Sequence, residues 1–300
     1  ADTAGLQIID VSNPSAPTVL GTLNTSGQAV DVTLSADGNI AYVADYGSGL
    51  QIIDVSNPSA PTLTGTLDTS GFAVDVTLSP DGNKAYVAAD SAGLQIIDVS
   101  NPNTPTLVKT LDTSGQALDV TLSVDGSTAY VGDGWSGLQI IDVSDSNAPI
   151  VTGTLAISGF VWGVTLSDGN TAYVGADQAG LQVIDVSNPS VPALTGTLDT
   201  SGQALYVTLS ADGNTAYVAD FTSGLQVIDL AKEFSVATDT VSLTVIPAND
   251  AGTFSGDTSG IGAEDSSLTG TLTFTDAADG ASAPNYTLTA AGASNGTASI

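Results

Sequence analysis

Asp31, Asp75 and Asp119 stand 44 residues apart, and each opens the same run, Asp-Val-Thr-Leu. Carboxylates brought together from such positions can act as general acid and general base, the pairing that cleaves glycosidic bonds. They can equally cap strand ends by accepting backbone N–H bonds. Aromatic side chains recur in the same frame. Phe72 and Phe160 each follow a Ser-Gly pair, Tyr46, Trp135 and Phe221 lie in a second kind of loop, and Trp162 precedes Gly163. Gly163 and Tyr206 occupy the positions equivalent to the three aspartates in later repeats. Aromatic faces beside carboxylates bind sugars or peptides by stacking and hydrogen bonding. The competing reading is that the aromatics fill gaps between neighbouring units.

Much other chemistry is excluded by composition. With no His there is no imidazole for a nucleophilic triad. With no Cys either, disulfides, thiolate metal sites and the usual zinc, copper and iron ligand sets are unavailable. No Gly-Lys-Ser/Thr follows a glycine-rich loop, so no phosphate-binding loop of that type is present. Three Lys, no Arg and 32 acidic residues give a formal net charge of −29. That balance argues against nucleic acid as a partner, since phosphates are held by Lys and Arg. It also argues against anionic membrane surfaces, and no apolar run reaches the roughly 18 residues of a spanning segment. All but Glu233 and Glu264 of the acidic residues are Asp, which suits turns and also the oxygen-rich sites that hold Ca²⁺. The expectation is therefore a non-enzymatic chain without an organic cofactor. A carboxylate-based glycosidase or lyase using Asp31, Asp75 and Asp119 is the lesser alternative.

The elements that carry these residues are repeats. Gly-Leu-Gln recurs at Gly5, Gly49, Gly93, Gly137, Gly180 and Gly224, a period of about 44 residues that matches a four-stranded propeller blade. Each unit reads as four short strands separated by turn signals, among them Asp-Gly hairpin turns and Ser-Asn-Pro turns. Apolar residues fall on both faces of the Gly-Leu-Gln strand, as in a sheet packed on both sides. Asp10, Asp54, Asp98, Asp142, Asp185 and Asp229 precede the Ser-Asn-Pro turns and are assigned to turn bonding. The fold class is all-β: a β-propeller over residues 1–232, with six partial or complete units.

A longer period lies inside the first. The residue after Ser-Gly alternates as Gln28, Phe72, Gln116, Phe160 and Gln203. The loop Asp lies three residues before the Gly at Asp2, Asp90 and Asp177, but four before it at Asp45, Asp133 and Asp220. The shared phase implies duplication of a two-blade unit, and so an even number of blades, six or eight, if the ring closes. Residues 1–25 supply only the third and fourth strands of a unit and residues 205–230 only the first three. A five-blade ring could close by pairing these ends but would leave one Gly-Leu-Gln strand surplus, so a truncated array with its missing part before Ala1 is the expected arrangement.

The repeats, with their core "IIDVSNPSxP", resemble the LVIVD repeat, a family that implies β-propellers in large secreted or cell-surface proteins. From Val241 the sequence resembles the start of a VCBS repeat, a cadherin-like or immunoglobulin-like module of bacterial adhesins, which implies a partial β-sandwich over 233–300. That resemblance also implies Ca²⁺ held by Asp250, Glu264, Asp265, Asp276 and Asp279. Together they imply an extracellular or cell-surface segment whose propeller presents Asp31, Asp75, Asp119, Tyr46, Phe72, Trp135, Phe160, Trp162, Tyr206 and Phe221 to a glycan or protein surface. Packing against copies of itself is the alternative.

Overall fold

A computed structural model describes residues 5–167 and 169–233, and the four short strands 241–244, 253–256, 272–275 and 287–290. The chain divides into two units, Ala1–Glu233 and Phe234–Ile300. The first is a five-bladed β-propeller. It opens with an antiparallel hairpin, β1 (Leu6–Asp10) and β2 (Thr18–Leu23). Four four-stranded blades follow: β3–β6 within Asp31–Leu67, β7–β10 within Asp75–Leu111, β11–β14 within Asp119–Leu155 and β15–β18 within Gly163–Leu198. The fifth has three strands, β19 (Ala204–Leu209), β20 (Thr215–Asp220) and β21 (Gly224–Asp229).

Every blade is antiparallel with its strands in chain order, because each connection is a short turn. The Asp-Ser pair before each proline turn closes locally. Ser56, Ser100, Ser144 and Ser187 donate their backbone N–H to Asp54, Asp98, Asp142 and Asp185 at 2.9, 3.0, 2.9 and 2.9 Å. These aspartates do the turn work expected of them. The repeated Gly is required as well: Gly93 has φ +79°, and a Cβ there would lie 2.2 Å from the Leu111 carbonyl oxygen.

The core sits between blades. Tyr42, Leu50 and Ile52 of the first blade pack with Val76, Val87 and Ile97 of the second, and the same positions repeat at the next two junctions. Leu50, Ile52, Ile96, Ile140 and Ile184 are all fully buried. The strand thus carries apolar groups on both faces because each face meets a different neighbour.

Two expectations are corrected. There are five blades, not six or eight, because the first of the six Gly-Leu-Gln motifs lies in the hairpin β1–β2, which forms a sheet of its own and packs Leu6 and Ile8 on Val43 and Ile53. The second unit does not show the expected cadherin-like sandwich. Its described strands form two separate antiparallel pairs, β22 (Val241–Thr244) with β25 (Thr287–Ala290) and β23 (Thr253–Gly256) with β24 (Leu272–Thr275). Asp250, Glu264, Asp265, Asp276 and Asp279, the Ca²⁺ ligands implied by resemblance, lie outside the described residues. Among the described residues, no group of three or more Asp, Glu, His or Cys is arranged to hold a metal ion.

Candidate functional site

The first strand of each of the four complete blades has four residues, and the first strands of successive blades neighbour one another. Asp31, Asp75 and Asp119 begin the first three of them. Side chains alternate along a strand, so Thr33, Thr77 and Thr121, two residues on, share the aspartates' face. Together with Val32, Val76, Val120, Val164 and Thr165 they line a funnel of about 250 Å³. The threonines were missed in the sequence, although the period-two rule applied to Asp-Val-Thr-Leu was signal enough.

Each aspartate also stitches its blade to the next. Asp31 accepts the backbone N–H of Val76 at 3.2 Å, Asp75 that of Val120 at 2.9 Å and Asp119 that of Val164 at 2.8 Å. The capping reading of these residues therefore holds, and a chemical role has to coexist with it. Burial and crowding set their acidity. Burial first, and then the negative charges of Asp119 and Asp31, push Asp75 well above the usual carboxylate range. Burial raises Asp119 to about 7 against the opposing Val164 N–H bond, with the charge of Asp31 adding to the rise. Neighbouring negative charge disfavours the ionised form of Asp75 and Asp119.

The fifth blade carries Tyr206 at the position equivalent to the aspartates. Burial, then the charges of Asp119, Asp75 and Asp31, raise the Tyr206 phenol to about 12. Gly163 makes room for it: a Cβ at Gly163 would lie 2.8 Å from Tyr206 Cδ1 and 3.0 Å from the Leu205 carbonyl oxygen. The replacement of Asp by Gly in the fourth blade is thus coupled to the Tyr in the fifth. Gly163→Ala should cost about 1–3 kcal/mol of stability, the range for overpacking a filled site, and a chemical denaturation midpoint will read it.

The remaining aromatics belong to the rim loops and pair across blade junctions. Phe72 stacks on Tyr46 with ring centroids 4.1 Å apart and planes 6° from parallel. Phe160 packs edge-on against Trp135 at 5.3 Å and tilted against Trp162 at 4.9 Å. Where the loop instead places Asp at the rim, a Gln meets it: Gln116 donates to Asp90 at 2.9 Å and Gln203 to Asp177 at 2.7 Å. A one-residue shift of the loop Asp sets the choice. In the alternate loops Asp45, Asp133 and Asp220 are fully buried and accept hydroxyl bonds from Thr25, Thr113 and Thr200. Burial lifts Asp133 to about 6. The alternation seen in the sequence is thus a code for which loops meet.

The ten residues expected on one binding face therefore separate. Asp31, Asp75 and Asp119 gather at the funnel, and Tyr206 packs against Gly163. Tyr46–Phe72 and Trp135–Phe160–Trp162 form two clusters that fill blade junctions, with Trp135 still 74% exposed. Phe221, 70% exposed, lies in the single-turn helix Phe221–Ser223 of the fifth blade.

Comparisons agree with this architecture. No curated protein matches the sequence. The periplasmic gluconolactonase of Pseudomonas aeruginosa is similar in structure, with TM-score 0.62 and 18% identity over 71% of this chain and 69% of that one. A putative 6-phosphogluconolactonase from Bacteroides uniformis matches with TM-score 0.63 and 18% identity over 76% of this chain and 75% of that one. A functionally unknown protein from Desulfotomaculum acetoxidans matches with TM-score 0.66 and 15% identity, over 77% of this chain and 78% of that one. At such identities the likeness shows the fold. It does overturn the expectation of a non-enzymatic adhesive segment, because propellers of this kind carry lactonase names. The LVIVD repeat matches residues 1–25, 26–69, 70–113, 114–156, 158–200 and 202–233, and the chain belongs to the LVIVD-repeat family.

Proposed function

We propose that the propeller is a carboxylate-based hydrolase that opens a neutral, hydroxyl-rich cyclic ester, a sugar lactone. The observation that carries this reading is the funnel, where Asp119 is held partly protonated near neutral pH and Asp75, beside it and Asp31, is shifted well upward by burial and by its acidic neighbours. A pocket that keeps a protonated and an ionised carboxyl side by side has both an acid and a base ready. The ionised carboxylate takes a proton from water as its oxygen bonds to the acyl carbon. The protonated carboxyl then gives its proton to the ring oxygen as the acyl–oxygen bond breaks, leaving a hydroxy acid. Thr77 and Thr121 offer hydroxyls to the substrate's own, and Tyr206 offers a ring face. The lactonase names of similar propellers support the same class.

Charge selects within that class. Only Lys84, Lys109 and Lys232 are basic, and none lines the funnel. A phosphorylated lactone would meet carboxylates with no cation to pair it, so the substrate is the uncharged form. The product ionises and is repelled, which favours its release. Among the described residues no helix is long and apolar enough to cross a membrane, and a location outside the cytoplasm, as in the periplasmic propeller it resembles, completes the proposal.

The test is a pH-stat assay of glucono-δ-lactone opening. The protein should exceed the spontaneous rate, and Asp75→Asn should lower turnover by about 10²–10⁴, the usual contribution of positioned acid–base groups. The 6-phosphorylated lactone should be a poor substrate. A rate equal to buffer alone for the neutral lactone would remove the proposal.

A further inference from the structure

The two aromatic junctions of the rim are built differently. At the first, Tyr46 lies flat on Phe72, so each ring hides a face of the other. In the third blade Gly134 takes the place of Tyr46, and each bridges to the loop that follows its blade, Tyr46 to Ala73 and Gly134 to Val161. Phe160 packs against the loop backbone there, since a Cβ on Gly134 would lie 3.1 Å from its ring. The aromatic side chain has moved one residue on, to Trp135, and stands nearly perpendicular to Phe160, with planes 79° apart. A perpendicular pair covers at most one face of the indole, and Trp135 is left largely open to solvent. A polar pair lies beside it. The same Cβ position on Gly134 is 3.4 Å from Gln116, whose amide donates to Asp90 on the exposed rim. The amide oxygen and the second carboxylate oxygen are further acceptors for hydroxyl groups. An open ring face beside polar groups that fix orientation suits a sugar, whose C–H face stacks while its hydroxyls bond.

This rim adjoins the funnel. Gln116 lies three residues before Asp119, and Trp162, which touches Phe160 at 4.9 Å, directly precedes Gly163. Three extended residues span at most about 10 Å, so rim and carboxylates are within the reach of one short oligosaccharide. We infer that Trp135, Gln116 and Asp90 form a second subsite beside the funnel, and that the preferred substrate is an oligosaccharide ending in a lactone. The lactone ring enters the funnel, and the next sugar stacks on Trp135 with its hydroxyls toward Gln116 and Asp90. The inference rests on the hydrolase reading for the purpose of the subsite, and on the rim geometry for its existence. A neutral glycan also suits a chain of net charge −29, whose field repels anionic ligands.

Ligands without a lactone test the subsite by itself. Cellotriose and maltotriose, which differ in linkage, are titrated calorimetrically into the full chain, with glucose as the comparison. At least one trisaccharide should bind, about tenfold or more tighter than glucose. Trp135 and Trp162 are the chain's two tryptophans, so the same titration should shift its tryptophan fluorescence. Trp135→Ala and Gln116→Ala should each weaken the trisaccharide by about tenfold, the scale of losing one anchoring contact. Both side chains are exposed, so each variant should keep the parent's melting curve. Trp135→Ala should also lower the preference for cellobiono- or maltobiono-δ-lactone over glucono-δ-lactone, read as a ratio of kcat/KM, by the same factor. Binding of neither trisaccharide, or binding that survives both substitutions, overturns the inference. Lactone turnover without trisaccharide binding would remove this subsite and leave the hydrolase standing, whereas trisaccharide binding without turnover would do the reverse.

Discussion

Asp119→Asn is expected to raise the stability of the propeller at pH 8 and to flatten its dependence on pH. The native carboxyl keeps its proton up to about pH 7, whereas in the unfolded chain it loses it near its ordinary value of 3.8. Between those limits the native state binds more protons than the unfolded state, so stability falls as pH rises through the window. Below it the effect is fully present as stability, and above it the loss is complete. Asn removes the buried charge while its amide oxygen can still accept the Val164 N–H. Each tenfold change in acidity is worth about 1.4 kcal/mol, so the gain at pH 8 is on the order of a few kcal/mol. Asp75 and Asp133 are shifted in the same direction by burial and keep part of the slope in the variant. Asp37, Asp81 and Asp125 are exposed and held at about 2 by turn bonds, so they act only at lower pH and in the opposite sense. Melting temperatures at pH 5 and pH 8 for both proteins decide it. Parallel curves would show that Asp119 is not buried in the way described. The same variant should lose lactone turnover, so stability and activity should move in opposite directions, as at a site that holds charge for chemistry.

The second large effect concerns one register position in two settings. Ile140→Ala removes a fully buried side chain packed with Val164, Ala172 and Ile184 across a blade junction. It should cost about 2–5 kcal/mol, or on the order of 10 °C in melting temperature for a unit of this size. Val227 is the equivalent residue of the fifth blade and is 63% exposed. In dilute protein, Val227→Ala should change stability by less than about 0.5 kcal/mol. If the two cost the same, Val227 is covered in solution by something other than water.

What could be read in the sequence divides by range. Strand positions, hairpin turns and the Asp-Ser bonds of the proline turns were legible because each is decided within a few residues. The alternation of Gln and Phe was visible too, but its meaning was not, because Phe72 finds Tyr46 and Gln116 finds Asp90 only once blades are neighbours. Blade number was misjudged for the same reason. The Gly5 motif has the same local sequence as the others, yet the hairpin that holds it stands as a separate two-stranded sheet, and only long-range pairing distinguishes it. The 44-residue spacing picked out Asp31, Asp75 and Asp119 as a set, while their acidity depends on burial that spacing does not report. Tyr206 and Gly163 looked like exceptions to the Asp pattern and are instead one complementary fit.

The stitches at the centre point one way along the chain. Asp31 holds the amide of Val76, Asp75 that of Val120 and Asp119 that of Val164, so the acceptor always belongs to the earlier blade. During synthesis, which delivers about 5–20 residues per second from the N-terminus, each completed blade offers its anchor before its successor has emerged. If blades form in the order of translation, the inner strands of the second, third and fourth blades are each received by a carboxylate already in place. The series stops at Gly163, and the fifth blade is seated by the shape of Tyr206 instead.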